Sequence, residues 1–257
     1  MSVWRVTGAA IALATLLAAP ATRAEIPLTV AAASDLQGVM PEIAARFQRA
    51  TAHALRISYG SSGQFLSQIQ NGAPIDVFLS ADDAYVTRLV ESGHAEASTV
   101  TPYATGRLAL WARSDRGLDL AKGLAALEDT RVRRIAIANP EHAPYGRAAV
   151  ESLRRAGLYD RLQPRLVLGE NVSQAAQFAQ TGNADVALIA LSLTLMPALQ
   201  STGSGVEVPQ SAYQLIRQTG VVVARSPRAG TGRRFLAFLT ERDAATLLVQ
   251  SGFGGRP

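Results

Sequence analysis

Asn71-Gly72-Ala73-Pro74-Ile75-Asp76-Val77-Phe78-Leu79-Ser80-Ala81-Asp82-Asp83 reads as a helix stop, a strand and a helix start in immediate succession. Gly72 and Pro74 end the preceding helix. Ile75 to Leu79 is a short apolar run bounded by turn signals, which predicts a strand. Asp82 or Asp83 then opens a helix running to about Gly93, because an acid there caps free N–H groups and faces the positive end of the helix dipole. A strand that feeds a helix through a few small residues is the repeating unit of α/β architecture.

The same unit recurs on both sides. Upstream, Leu28 to Ala32 predicts a strand, followed by a helix whose apolar residues Leu36, Val39, Met40, Ile43, Ala44 and Phe47 are spaced by three and four. Pro41 lies inside this pattern and is expected to bend the helix. Leu55 to Ser58 predicts the next strand, and Gly60-Ser61-Ser62-Gly63 opens a helix carrying Phe65, Leu66 and Ile69. Downstream, Arg107 to Ala112 reads as a strand leaving this unit. A second unit then combines strands at Ile135 to Ala138, Leu166 to Leu168 and Val186 to Ala190 with helices at about Tyr145 to Ala156 and Ser173 to Gln180. Gly157 suits a helix C-cap. Val221 to Ala224 returns the chain to the first unit, where the helices near Gly230 to Leu239 and Asp243 to Ser251 pack.

The expected architecture is two α/β lobes with mainly parallel sheets, crossed near residues 107–112 and 219–224. The expected division is a leader over 1–24, one lobe from 25–109 and 223–257, and another from 110–222.

Composition excludes several functions. Apolar residues are 48% of the 257 and charged residues 18%, so the chain can bury a core and is not disordered. Cysteine is absent, which removes disulfides, thiolate catalysis and cysteine zinc sites. His53, His94 and His142 lie far apart and lack partners at ligand spacing. Arg5, the apolar run from about Ala9 to Ala19, Pro20 and the small residues up to Ala24 form a secretory leader, cleaved after Ala24 or Ala21. The run is shorter than the roughly 20 residues of a spanning helix. Its loss removes two arginines and lowers the formal charge from +5 to +3. The remaining arginines are scattered, without the basic stripe and interleaved aromatics of a nucleic-acid binder.

Four turns share one design: Ser34-Asp35, Ser61-Ser62-Gly63, Pro144-Tyr145-Gly146 and Asn171-Val172-Ser173 each place a small or hydroxyl residue where a helix begins. The first N–H groups of a helix lack internal partners and carry partial positive charge, so such an end holds an anion without a cationic side chain. Singly, each turn is an ordinary N-cap. An anion site requires all four to face one cleft.

Val30-Ala31-Ala32-Ala33-Ser34-Asp35-Leu36, Tyr59-Gly60-Ser61-Ser62-Gly63, the stretch from Asn71 to Asp82 and Asn139-Pro140-Glu141-His142-Ala143-Pro144-Tyr145-Gly146 together resemble the periplasmic molybdate-binding protein family, over about residues 26–254. The resemblance implies a two-lobed type II periplasmic-binding fold, each lobe a mainly parallel sheet flanked by helices, joined by two crossover strands. It implies an exported periplasmic protein, monomeric, that is no enzyme and needs no cofactor. Such a protein takes molybdate or tungstate between its lobes and hands it to an ABC transporter permease.

Carried over by residue, Ser34 and Ser62 offer hydroxyl and backbone N–H, and Tyr145 and Val172 offer backbone N–H. Asp35 offers its N–H, with its carboxylate expected to point outward. All these contacts run through the oxyanion's oxygens, none to the metal. Some family members place a ligand-binding tyrosine where this chain has Ala190, and the Tyr145 phenol is the candidate to replace that donor. An inward Asp35 carboxylate would instead favour phosphate, which keeps a proton near neutral pH, and only cavity size separates sulfate. Two other classes remain open: a secreted hydrolase using Ser61 or Ser62 with His142 as base, although the turn lacks the Gly-x-Ser-x-Gly elbow, and the sensing part of a receptor.

Overall fold

The computed structural model describes Met1 and residues 26–257; the leader expected over 1–24 falls almost wholly outside them. Among the described residues ten strands form two sheets. The first contains β1 (Leu28–Ala33), β2 (Leu55–Gly60), β3 (Val77–Ser80), β4 (Thr101–Gly106) and β10 (Ile216–Val222), in the order β2-β1-β3-β10-β4. The second contains β5 (Leu108–Arg113), β6 (Ile135–Ala138), β7 (Leu166–Gly169), β8 (Val186–Ala190) and β9 (Gly203–Glu207), in the order β7-β6-β8-β5-β9.

In the first sheet β10 runs antiparallel to both neighbours; in the second β5 does. The other pairings are parallel, so the remaining four strands of each sheet share a direction. The sheets are therefore mainly parallel, with one reversed strand apiece.

The sheets lie under separate apolar cores. Phe47, Phe235 and Leu239 pack on one face of the first, and Phe65, Phe78 and Leu89 on the other. Trp111, Leu127 and Leu153 belong to the core around the second.

Sheet membership moves the expected boundaries. The first crossing is Arg107, squeezed between β4 and β5, so Leu108 and Ala109 already belong to the second sheet. The second crossing is residues 208–215, and all of β10 pairs in the first sheet, not in the lobe expected over 110–222. Arg217, Gln218 and Thr219 obscure the first part of β10, because its apolar run begins only at Val221. Two edge strands escaped sequence reading. β4 contains Pro102, tolerable at an edge because that position needs no donor on its open side. β9 contains Gly203, where a Cβ would lie 2.2 Å from the Ala112 carbonyl oxygen.

Pro41 also behaves differently from expectation. Ser34–Leu36 is a short 3-10 turn, and α1 begins only at Met40 (Met40–Thr51), with Pro41 in its first turn. There its missing N–H costs nothing, so it starts the helix instead of bending it.

Candidate anion site

Three α-helices and the 3-10 turn aim their first residues at one place. The helices are α2 (Ser62–Gln70), α4 (Pro144–Arg155) and α6 (Val172–Gln180). α2 and the Ser34–Leu36 turn follow strands of the first sheet; α4 and α6 follow β6 and β7 of the second. The α/β alternation thus delivers four helical starts to the seam between the sheets. They enclose a small cavity lined by Ser34, Asp35, Ser62, Tyr145 and Val172, with Ser61 and Asn171 beside them. Every sequence-derived site residue is therefore present and buried, none more than 4% exposed. Among the described residues no cationic side chain lines the cavity.

The donor chemistry suits an anion. The Ala81 N–H donates to Ser62 Oγ at 3.0 Å, and the Ser173 N–H reaches Ser34 Oγ at 3.4 Å from the opposite lobe. Each hydroxyl oxygen is thereby used as an acceptor, and among the described residues neither donates its own proton to the protein. Both protons remain available to a guest. Asn171 caps α6 by accepting the Ser173 and Gln174 N–H groups, which leaves the first N–H, that of Val172, outside the cap. Pro144 fills the first position of α4 and presents the Tyr145 N–H next.

Asp35 departs from expectation. Its carboxylate does not point outward: the residue is fully buried and lines the cavity. Oδ2 accepts from the Tyr145 phenol at 3.0 Å and from the Gln218 amide at 2.5 Å. Oδ1 has no hydrogen-bond partner among the described residues. Burial raises the Asp35 pKa to about 6, against the pull of the Tyr145 and Gln218 donors and of the backbone N–H groups of Asp35 and Leu36. The phenol proton of Tyr145 is thus committed to a carboxylate, where the Ala190 substitution had suggested a contact to the guest. Ala190 itself ends β8, fully buried, and is not among the cavity-lining residues. Burial, and then the Asp35 charge, push the Tyr145 phenol well above its ordinary pKa, so it stays a donor.

Gln218 was not foreseen. It sits on β10, accepts from the Tyr103 hydroxyl at 3.0 Å and donates to Asp35, linking the cavity to strands beside the crossings. The sequence signal was present in the adjacent polar pair Gln218-Thr219, just ahead of the apolar Val221-Val222.

The rim joins the lobes directly. The Gly63 N–H donates to the His142 carbonyl at 2.9 Å, and the Ser61 hydroxyl donates to the same oxygen at 2.6 Å. His142 Nδ1 lies 2.8 Å from Ser61 Oγ. The Ser61 hydroxyl is thus directed at the His142 carbonyl, and His142 is a contact between lobes.

The profile of the bacterial extracellular solute-binding proteins matches residues 28–254. The molybdate-binding protein ModA of Rhodobacter capsulatus is 37% identical over 97% of this chain and 96% of its own. That of Azotobacter vinelandii is 37% identical over 93% of each. The solved periplasmic molybdate-binding protein of Azotobacter vinelandii superposes with a TM-score of 0.81 at 33% identity, covering 88% of this chain and 98% of that one. The sulfate-binding protein SubI of Mycobacterium tuberculosis shares the fold at 16% identity with a TM-score of 0.72. With the α/β lobes, the two crossings and the seam of helix starts, these matches place the chain in the family of bacterial extracellular solute-binding proteins, among the molybdate-binding members.

Proposed function

We propose that this chain is an exported, periplasmic binding protein that captures molybdate or tungstate between its lobes and delivers it to an ABC permease. One observation carries the reading: four chain segments, two from each lobe, bring hydroxyl and first-turn N–H donors to one buried cavity without a lysine, arginine or histidine in its wall. A dianion with four acceptor oxygens and no proton wants such a shell. Ser34 and Ser62 give hydroxyl and N–H, and Tyr145 and Val172 give N–H. Each charge-assisted hydrogen bond contributes roughly 1.5–3 kcal/mol. The protein acts by binding and release, as a monomer, with no cofactor and no catalytic step.

The buried Asp35 carboxylate beside the cavity favours a second reading, phosphate, whose retained proton an ionised carboxylate would accept. Calorimetric titration of the purified chain with molybdate, tungstate, sulfate and phosphate separates the two. Sub-micromolar binding of the first two, with weak or no binding of phosphate, is the expected result. Absence of heat and of any thermal shift with molybdate and tungstate would reject the reading.

A further inference from the structure

Among the described residues Asp35 is the one acid in the cavity wall, and its setting is unusual for a site that receives a dianion. Its carboxylate is wholly buried. The groups facing it are the Tyr145 phenol from α4, the Tyr103 phenol from β4, the Gln218 amide from β10 and the backbone N–H groups of Asp35 and Leu36. None is a cation. Burial, and then the Asp35 charge, hold the Tyr103 and Tyr145 phenols well above their ordinary range, so neither can ionise or take the carboxylate's charge. An ionised Asp35 would therefore meet an incoming dianion with no compensating charge nearby, and like charges at close range in a buried site repel strongly.

The relief is a proton, and the geometry fixes where it goes. Oδ2 already accepts two hydrogen bonds, whereas Oδ1 accepts none among the described residues. We propose that Asp35 is protonated when the guest is bound, so that capture of each dianion takes up one proton from solvent and Oδ1–H joins the donors around it. The inference rests on reading the cavity as an oxyanion receptor and adds its proton balance. Asp35 then discriminates among tetrahedral anions by protonation state. It is a donor to an anion carrying no proton, and it denies a protonated anion the acceptor that anion needs.

The sign follows from linkage. Ligand-free Asp35 titrates near pH 6, and the bound dianion raises that value further. Below about pH 6 the carboxyl is already neutral and affinity ignores pH; above it, each pH unit costs up to tenfold in affinity until the bound-state pKa is passed. His142 stands at the rim, with Glu170 3.9 Å from its Nε2.

The test is calorimetry with sodium molybdate from about pH 6 to about pH 8.5, in buffers of differing ionisation enthalpy. The expected result is a dissociation constant that rises with pH toward tenfold per unit, with uptake of close to one proton per molybdate. Asp35→Asn, a permanent neutral donor of the same shape, should abolish both slope and uptake and bind more tightly than the parent at the alkaline end. His142→Gln should keep both. The parent protein's proton count stands even if Asp35→Asn fails to fold. A pH-independent constant without proton uptake, a slope surviving in Asp35→Asn, or proton release on binding would overturn the proposal. No molybdate heat at any pH would also overturn the oxyanion reading beneath it; pH-blind binding would leave that reading standing.

Discussion

Asp35 and Tyr145 share a hydrogen bond that each needs for its own reason. The carboxylate loses its water on folding, and the phenol's polar end is buried beside it. A carboxylate whose folded pKa lies above its unfolded value near 3.8 destabilises the native state increasingly as pH rises from the unfolded value to the folded one. Its contribution is therefore most favourable below about pH 4 and is lost as pH rises through about 6. Asp35→Asn removes that pH-dependent cost, worth on the order of 2–3 kcal/mol at pH 7.5. In the ligand-free protein it should raise the melting temperature by several degrees there, the gain shrinking toward pH 4, as scanning calorimetry would register. Tyr145→Phe acts oppositely. It strips Oδ2 of one donor, raises the Asp35 pKa and lowers ligand-free stability by about 1–2 kcal/mol. Affinity for molybdate at pH 6 should change less than threefold if the phenol serves the carboxylate and not the guest; a loss of a hundredfold would place the phenol on the ligand.

Glycines at the element scale mark where helices and strands must approach more closely than a side chain permits. A Cβ on Gly63 would lie 2.8 Å from both the Cβ and the carbonyl oxygen of His142, across the seam. Within α2 itself alanine is the better helix former, by about 1 kcal/mol. Gly63→Ala should therefore leave the ligand-free melting temperature unchanged or raised, yet weaken molybdate binding at least tenfold, because the lobes can no longer meet. Solution scattering should show the usual ligand-induced compaction reduced. Gly146 is different in kind: its Cβ would lie 2.1 Å from the Ala138 carbonyl oxygen, inside one lobe, so alanine there destabilises the fold itself. These distances explain which parts of the site could be read in advance. The strand-to-helix turns announced Ser34, Ser62, Tyr145 and Val172, since helix starts carry a local signature. The direction of the Asp35 carboxylate and the role of Gln218 did not, since β10 reaches β3 only through long-range pairing across the fold. The edge strands β4 and β9 stayed hidden because Pro102 and Gly203 contradict local propensity and are tolerated only through their place in the sheet.

For the whole molecule, capture depends on how strongly the lobes hold each other when the guest adds nothing. Outside the cavity the seam is tied by Arg147 on α4. Its guanidinium pairs with Asp82 and donates to the Tyr85 hydroxyl at 2.7 Å, both residues belonging to the first lobe around α3 (Asp83–Glu91). The guanidinium also stands 5.2 Å over the Tyr85 ring. On the opposite rim the Gln64 amide donates to Glu170 at 2.6 Å. Both ties are partly solvated, so each is worth no more than about 1 kcal/mol, and salt weakens the charged one. Neither touches the cavity wall, so neither alters contacts with the anion. If the lobes open to admit the guest, as the proposed function requires, these ties weigh the balance toward the closed form. Arg147→Met keeps the aliphatic stem and loses the pairs. It should speed molybdate release roughly three- to fivefold in stopped-flow displacement while leaving the association rate within about twofold, since about 1 kcal/mol of closure free energy appears in dissociation. High salt should narrow the gap, because the parent's ion pair is screened and the variant has none. A change confined to association would mean that Arg147 steers the anion inward instead of holding the lobes shut.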